Sequence, residues 1–419
     1  MNGTRRLFEL LVLGGCALIL SGGLLAMVLD RDHTALDGSP AWRLVLGISY
    51  LGVAVVLLPW YRETLFVLRR NWSLVSLLVL AVLSSLWADM PDLVLRKTIG
   101  LFGTTLFGIA LAVRVSFQEQ LRMLSWLFRV LAVLSLGCVV LFPSYGISSE
   151  GEWMGVFGYK NALGAAMGLS LLVEWQLPAA SRFAKVLKGL AMLLSVFLLL
   201  NSDSVTPGVA LVGALILVSV HKFVTLRFHV PLYAASAFIA VLVSVGSSLV
   251  FANSDRVMTL VGRSSSLTGR TEIWGLVISF IAQRPILGYG YSAFWLGASP
   301  ESFVVNQVLR GPVMYSHNGY LEMLLTLGAI GLLLTVVLIG TGIKRAVCLS
   351  RQRQFGTELW PLAFLLYFIF HNLGEVTIAM QLLEWAMCVS CIVGTDLLQL
   401  AYIAEGEAGL PLIPIGEPG

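Results

Sequence analysis

The chain has 419 residues, 58% hydrophobic and 12% charged, with a mean hydropathy of +0.88. A soluble domain has about twice that charged fraction, so the composition excludes a protein folded wholly in water. The net charge of +4 comes from basic residues scattered over short loops, a pattern that indicates no nucleic-acid partner.

Apolar runs of roughly 20 residues are long enough to cross a bilayer as helices, and these are continuous rather than alternating, which argues against a barrel. The sequence predicts an all-α polytopic membrane protein with about twelve transmembrane helices. They fall at 7–29, 43–60, 72–88, 97–114, 123–142, 161–177, 186–201, 208–224, 229–251, 318–343, 358–375 and 377–398. The first run is too long for a signal peptide and lacks a small-residue cleavage site, so it reads as a retained helix. Of the cysteines, Cys388 and Cys391 have CxxC spacing, but within an apolar run without a nearby His or Asp; they read as packing.

Loop charge orients the spans. Arg5, Arg69, Arg70, Lys185, Lys188, Lys344 and Arg345 fall on one side, and Asp30, Asp89, Glu150, Glu152 and Asp203 on the other. Both termini are therefore expected in the cytoplasm. Residues 1–402 read as one transmembrane domain. Within it, 252–317 form a large periplasmic loop with short helices between spans 9 and 10, and 403–419 form a disordered cytoplasmic tail. In this loop 271–282 is predicted as a short interfacial helix, followed by a turn at Arg284-Pro285 and Gly288-Tyr289-Gly290. Arg256, Arg263, Arg270, Arg284 and Arg310 face outward against the charge rule, which calls for either a solvated surface or an anionic ligand.

Four outward clusters share one membrane face, around 155–164, 201–208, the arginine-bearing loop, and His317-Asn318. Ionisable groups at the edge of a span imply a polar, wet cavity. Lys160, Arg263, Arg270 and Arg310 supply positive charge; Tyr159, Asn161, Ser202, Ser204, Tyr289 and Asn318 supply hydrogen-bonding groups. The planar fork of arginine suits phosphate, and histidine suits proton removal from a hydroxyl near neutral pH. The plainer alternatives are a structural histidine at a helix end and a lysine snorkelling to head groups. His371 is a second histidine candidate, with no arginine close to it in sequence. No His/Asp triplet with metal-ligand spacing and no nucleotide-binding loop appears, so neither metal nor cofactor is indicated.

Gly155-Val-Phe-Gly-Tyr-Lys160-Asn161-Ala-Leu-Gly164, Gly269-Arg270-Thr-Glu-Ile-Trp274, Gly288-Tyr-Gly-Tyr291 and Ser316-His317-Asn318-Gly-Tyr-Leu-Glu322 resemble the O-antigen ligase and O-antigen/exopolysaccharide polymerase family. The resemblance implies a GT-C-like, metal-independent, inverting glycosyltransferase of the bacterial inner membrane, with its active site in the periplasm. Its donor would be a glycan on undecaprenyl diphosphate. Its acceptor would be lipid A-core for a ligase, or another lipid-linked glycan for a polymerase. Arg270 would bind the diphosphate and His317 would deprotonate the acceptor hydroxyl. Family members often have a basic residue where Val205 stands here; Lys160, Arg263 or Arg310 would then substitute. A transporter or flippase of lipid-linked oligosaccharide is the other class, and Arg129, inside the fifth expected span, is the feature that favours it.

Overall fold

The computed structural model describes residues 3–23, 39–227, 268–295, 300–309, 313–350 and 359–408. All regular structure among them is helical. In chain order the helices are α1 (Gly3–Leu20), α2 (Pro40–Leu57), α3 (Tyr61–Arg70), α4 (Trp72–Leu83), α5 (Pro91–Arg114), α6 (Phe117–Leu141), α7 (Lys160–Gln176), α8 (Arg182–Asn201), α9 (Val205–Arg227), α10 (Thr268–Gln283), α11 (Pro300–Val308), α12 (Gly319–Ser350), α13 (Trp360–His371) and α14 (Leu383–Ala408).

Among the described residues, 7 helical runs are long and apolar enough to cross a membrane: Pro40–Arg70, Pro91–Arg114, Phe117–Leu141, Arg182–Asn201, Val205–Phe223, Gly319–Ser350 and Leu383–Ala404. Trp72–Leu86 and Trp360–His371 are apolar but shorter. The span expected at 229–251, and the expected loop as far as 267, lie outside the described residues. Exposed leucine, isoleucine and valine such as Leu44, Ile48, Leu51 and Val55 line the outer side of α2. Such a surface is costly in water and natural against lipid tails.

Several boundaries differ from those read off the sequence, each for a local reason. The span expected to end at 60 runs on through a 3-10 turn at Leu58–Trp60 into α3. Arg70 therefore sits on a helix, where Asp396 of α14 accepts from both Nε and Nη2 at 2.9 Å. The two last expected spans, 358–375 and 377–398, are separated by a longer break, because α13 stops at His371 and α14 starts at Leu383. α14 continues to Ala408, past the tail boundary expected at 402, and 409–419 lie outside the described residues.

Irregular backbone between apolar helices survives only where its polar groups are satisfied by protein or face a cavity. Asn372 does much of this in the 372–382 segment. Its Oδ1 accepts from the Thr377 and Ile378 amides at 2.9 and 3.1 Å, and its Nδ2 donates to the Phe368 carbonyl and Thr377 Oγ1, both at 2.8 Å.

A second break is shared between segments. Gly328, at φ +65°, kinks α12, and the turn after α10 enters the gap. Tyr289 and Gly290 donate their amides to the Leu325 and Thr326 carbonyls at 2.9 Å, and Ala329 donates to the Pro285 carbonyl at 2.8 Å. A Cβ on Gly328 would lie 2.1 Å from the Ile286 carbonyl oxygen, so only glycine permits this docking. Tyr291 then reaches the 372–382 segment, its hydroxyl donating to the Ala379 carbonyl at 2.6 Å. The arginine-bearing segment is thus tied to the bundle by backbone hydrogen bonds. It has its own small apolar core, including Val277, Phe280, Phe294, Trp295 and Leu325.

Arg129 is paired between helices. Its Nε and Nη2 each donate to Glu174 of α7 at 2.8 Å, and Ser125 donates to the same carboxylate at 2.7 Å. The residue that favoured transport is committed to an interhelical ion pair.

Candidate functional site

The site forms where α7, the start of α9, α10, the turn before α12 and the 372–382 segment converge. His317 owes its position to its neighbours. Ser316 donates its amide to Glu322 Oε2 at 3.0 Å, and Trp295 Nε1 donates to Oε1 of the same buried carboxylate at 2.7 Å. Asn318 caps α12, its Oδ1 accepting from the Tyr320 and Leu321 amides at 3.0 and 3.1 Å. Between these fixed points His317 adopts φ +52°, a left-handed conformation that costs energy for a residue with a Cβ and persists only where surroundings enforce it. Trp274 Nε1 donates to the Ser316 carbonyl at 2.8 Å, which holds α10 and therefore Arg270 beside this turn.

Glu375 joins the pieces. Its Oε1 accepts from Asn161 Nδ2 at 2.8 Å and from Arg270 Nη2 at 3.1 Å, and its Oε2 lies 3.8 Å from His317 Nδ1. Arg270 Nη1 also donates to the Gly374 carbonyl at 2.9 Å and to Thr206 Oγ1 at 3.3 Å. A Cβ on Gly374 would stand 2.7 Å from Thr206 Oγ1 and 3.1 Å from Arg270 Nη1, so the approach of the guanidinium depends on that glycine. These bonds use three of the five N–H donors of the guanidinium. Its Nε–H and one Nη2–H have no partner among the described residues. His317 Nδ1 is buried with no hydrogen-bond partner among them, and its ring packs on Tyr315 at 4.4 Å between centroids. A buried unsatisfied nitrogen in a strained residue beside a carboxylate makes His317 a candidate functional group.

Residues 190–336 match the family model described as O-antigen ligase, a segment that contains both Arg270 and His317. The chain is also 27% identical over 298 residues to the exopolysaccharide production protein ExoQ of Rhizobium meliloti (strain 1021). That match covers 67% of this chain and 66% of the relative, just under two thirds of its length.

The chain is similar to the O-antigen ligase and polymerase family over this segment. With its several membrane-length apolar helices, the chain is a multi-pass membrane protein.

The other residues singled out from the sequence divide into three groups. Asn161 is in the cluster itself, and Ser204 Oγ donates to its Oδ1 at 3.1 Å. Tyr159 is beside it, with its hydroxyl 3.3 Å from Asn161 Nδ2, while Ser202 backs Ser204 by accepting its amide at 3.4 Å. A second group stands apart from Glu375. Lys160 pairs with Glu152. Burial alone would raise the Glu152 carboxyl, but hydrogen bonds from Lys160 and Ser148 hold it below its usual range. Asn318 is occupied as a helix cap, and Tyr289 lies in the small apolar core with its hydroxyl donating to the Phe280 carbonyl at 3.2 Å. Arg263 and Arg310 lie outside the described residues.

Sequence reasoning did not single out Glu375, Thr206 or Tyr315 for the site. Glu375 stands in Phe370-His371-Asn372-Leu373-Gly374-Glu375, a stretch weighed only for its histidine; a carboxylate at the end of an apolar run was the available signal. Burial, then the neighbouring Tyr159 and Glu375, push the Tyr315 phenol well above its usual range, so it stays a neutral hydrogen-bonding group.

Proposed function

We propose that this protein is an inverting, metal-independent membrane glycosyltransferase that moves a glycan from undecaprenyl diphosphate to a sugar hydroxyl on the periplasmic side. The observation that supports this reading is the convergence of Arg270 and His317 on Glu375. Arg270 offers the donor diphosphate its Nε–H and remaining Nη2–H, fixed in direction by the Gly374 carbonyl and Thr206. As the bond from the anomeric carbon to the diphosphate oxygen breaks, the leaving group takes the electron pair and its growing charge falls on the guanidinium. The acceptor oxygen forms the new glycosidic bond from the opposite face and gives its proton to His317. Glu375 then stabilises the imidazolium through Nδ1, closing from 3.8 Å as an orienting carboxylate does in other histidine-based sites.

Lys160 would add a second phosphate contact on exchanging Glu152 for the ligand. Likeness to an exopolysaccharide production protein favours chain extension on a lipid-linked glycan over ligation to lipid A-core. Surface glycans from cells lacking the gene test the reading, with the wild-type or His317→Ala gene restored. Single repeat units without long chains identify a polymerase, and long chains held on the lipid carrier identify a ligase. Full recovery by His317→Ala would remove the histidine from the mechanism.

A further inference from the structure

A cavity of ≈ 220 Å³ opens beside Glu375 and runs inward between α6, α7 and α14. Its polar lining includes Tyr159, Asn161, Tyr315, Glu375, His371 and Glu384. His371 is 1% exposed. Its Nδ1 lies 2.9 Å from Glu384 Oε2, its ring stacks on Tyr367 at 5.4 Å, and its Nε2 has no hydrogen-bond partner among the described residues. The glycosyl-transfer scheme above does not use this pair.

The lining selects for one ligand chemistry. No lysine or arginine lines the cavity among the described residues, so a phosphate entering it gains no charge partner and meets two carboxylates. The polar groups present are mostly hydrogen-bond acceptors or hydroxyls: Glu375, Glu384, the two tyrosines and, with Nδ1–H turned to Glu384, the lone pair of His371 Nε2. Ligands rich in hydroxyl donors satisfy them. The rest of the lining is largely apolar and includes Phe128, Ala162 and Ala166, which suits the C–H faces of a ring. The volume is below the roughly 300–1,000 Å³ of a drug-sized pocket, room for about one ring. Tyr315 and Glu375 line the cavity and also adjoin His317, so a ring seated here is one residue away from that imidazole.

We propose that this cavity seats the terminal neutral sugar of the acceptor, with His371 Nε2 and Glu384 holding ring hydroxyls. The assignment rests on the transferase reading for the word acceptor; the sugar site itself rests on the cavity. Glu375 then separates two chemistries, with diphosphate on its arginine side and sugar on its cavity side.

The test uses the full chain in phospholipid nanodiscs with methyl glycosides of neutral hexoses as sugar probes and inorganic pyrophosphate as the anion probe. Saturation-transfer NMR reads the glycosides, and phosphorus line broadening reads pyrophosphate. Wild type is expected to bind at least one glycoside. Ala166→Leu, which fills the cavity, is expected to abolish that signal, and His371→Gln to weaken it about tenfold, the loss of roughly one hydrogen bond. Pyrophosphate broadening should persist in both variants, which shows that they fold, and should vanish in Arg270→Gln. No glycoside signal in wild type, or an undiminished one in Ala166→Leu, overturns the proposal, as does displacement of the glycoside by pyrophosphate. Glycoside binding that depends on Ala166, with no pyrophosphate binding that depends on Arg270, would uphold the sugar site and count against the transferase reading.

Discussion

Arg270 and His317 meet on the two oxygens of one carboxylate, Glu375, at 3.1 and 3.8 Å. They come from segments separated by a turn and a short helix, and Glu375 comes from a third. In the proposed transfer the guanidinium receives negative charge and the imidazole receives a proton, and the two share one anion. Glu375→Gln keeps a hydrogen-bonding group for Asn161 but removes the charge that supports an imidazolium. Transfer should fall by about 10²-fold, on the order of 3 kcal/mol of transition-state stabilisation, while pyrophosphate affinity changes far less. Rates in proteoliposomes with a lipid-linked donor check the first part, and phosphorus line broadening checks the second.

Arg270→Lys retains a positive charge and loses the fork. A lysine cannot bond the Gly374 carbonyl, Thr206 and Glu375 together while presenting two further donors to a phosphate. The expected result is a rise in the donor KM and a fall in kcat/KM of roughly tenfold or more. Steady-state rates at varied donor concentration measure it.

Gly328→Ala tests how the arginine-bearing segment is held. Its φ is +65° and the Ile286 carbonyl oxygen lies 2.1 Å from the added Cβ position. Either α12 straightens or the turn at 285–290 undocks, and both disturb the frame that fixes Arg270 and His317. A loss of about 2 kcal/mol or more is expected, read as a lower unfolding midpoint in detergent together with reduced transfer.

The Lys160–Glu152 pair gives a pH signature. Hydrogen bonds from Lys160 and Ser148 hold the Glu152 carboxyl below the ordinary glutamate value of 4.5. Its stabilisation is therefore present above that value and lost as pH falls through the lower folded-state value. For a partly exposed pair the size is about 1 kcal/mol or less. Wild type should lose its stability advantage over Glu152→Gln as the pH is lowered from about 6 to about 3.5; paired thermal melts across that range check the sign.

The motifs were legible in the sequence because each encodes a local constraint that residue type reveals. Asn318 before a helix, Glu322 four residues beyond it and Gly288-Tyr289-Gly290 at a turn all announce themselves. Their roles were less legible. Tyr289 and Asn318 look like ligand-binding groups in a string of residues, yet their polar atoms are used by the Phe280 carbonyl and the α12 amides. Glu375 was obscured for the opposite reason. Its partners lie 105 and 58 positions away in sequence, and the one local signal, a carboxylate at the end of an apolar run, does not say which distant cations it gathers. The break between α13 and α14 was placed too narrowly because the apolar run through 376–382 has the composition of a span; what ends the helix is the bonding of Asn372 to Thr377 and Ile378.

The most direct measurement is single-turnover glycan transfer by the purified protein in nanodiscs, with a lipid-diphosphate-linked donor and an acceptor glycan, comparing wild type with His317→Ala. Both should bind the donor to the same extent. Wild type should release polyprenyl diphosphate in step with formation of the longer glycan, and His317→Ala should do so at least about 10²-fold more slowly. Transfer by His317→Ala at the wild-type rate would contradict the account, because the strained, unpartnered imidazole beside Glu375 would then have no part in the chemistry.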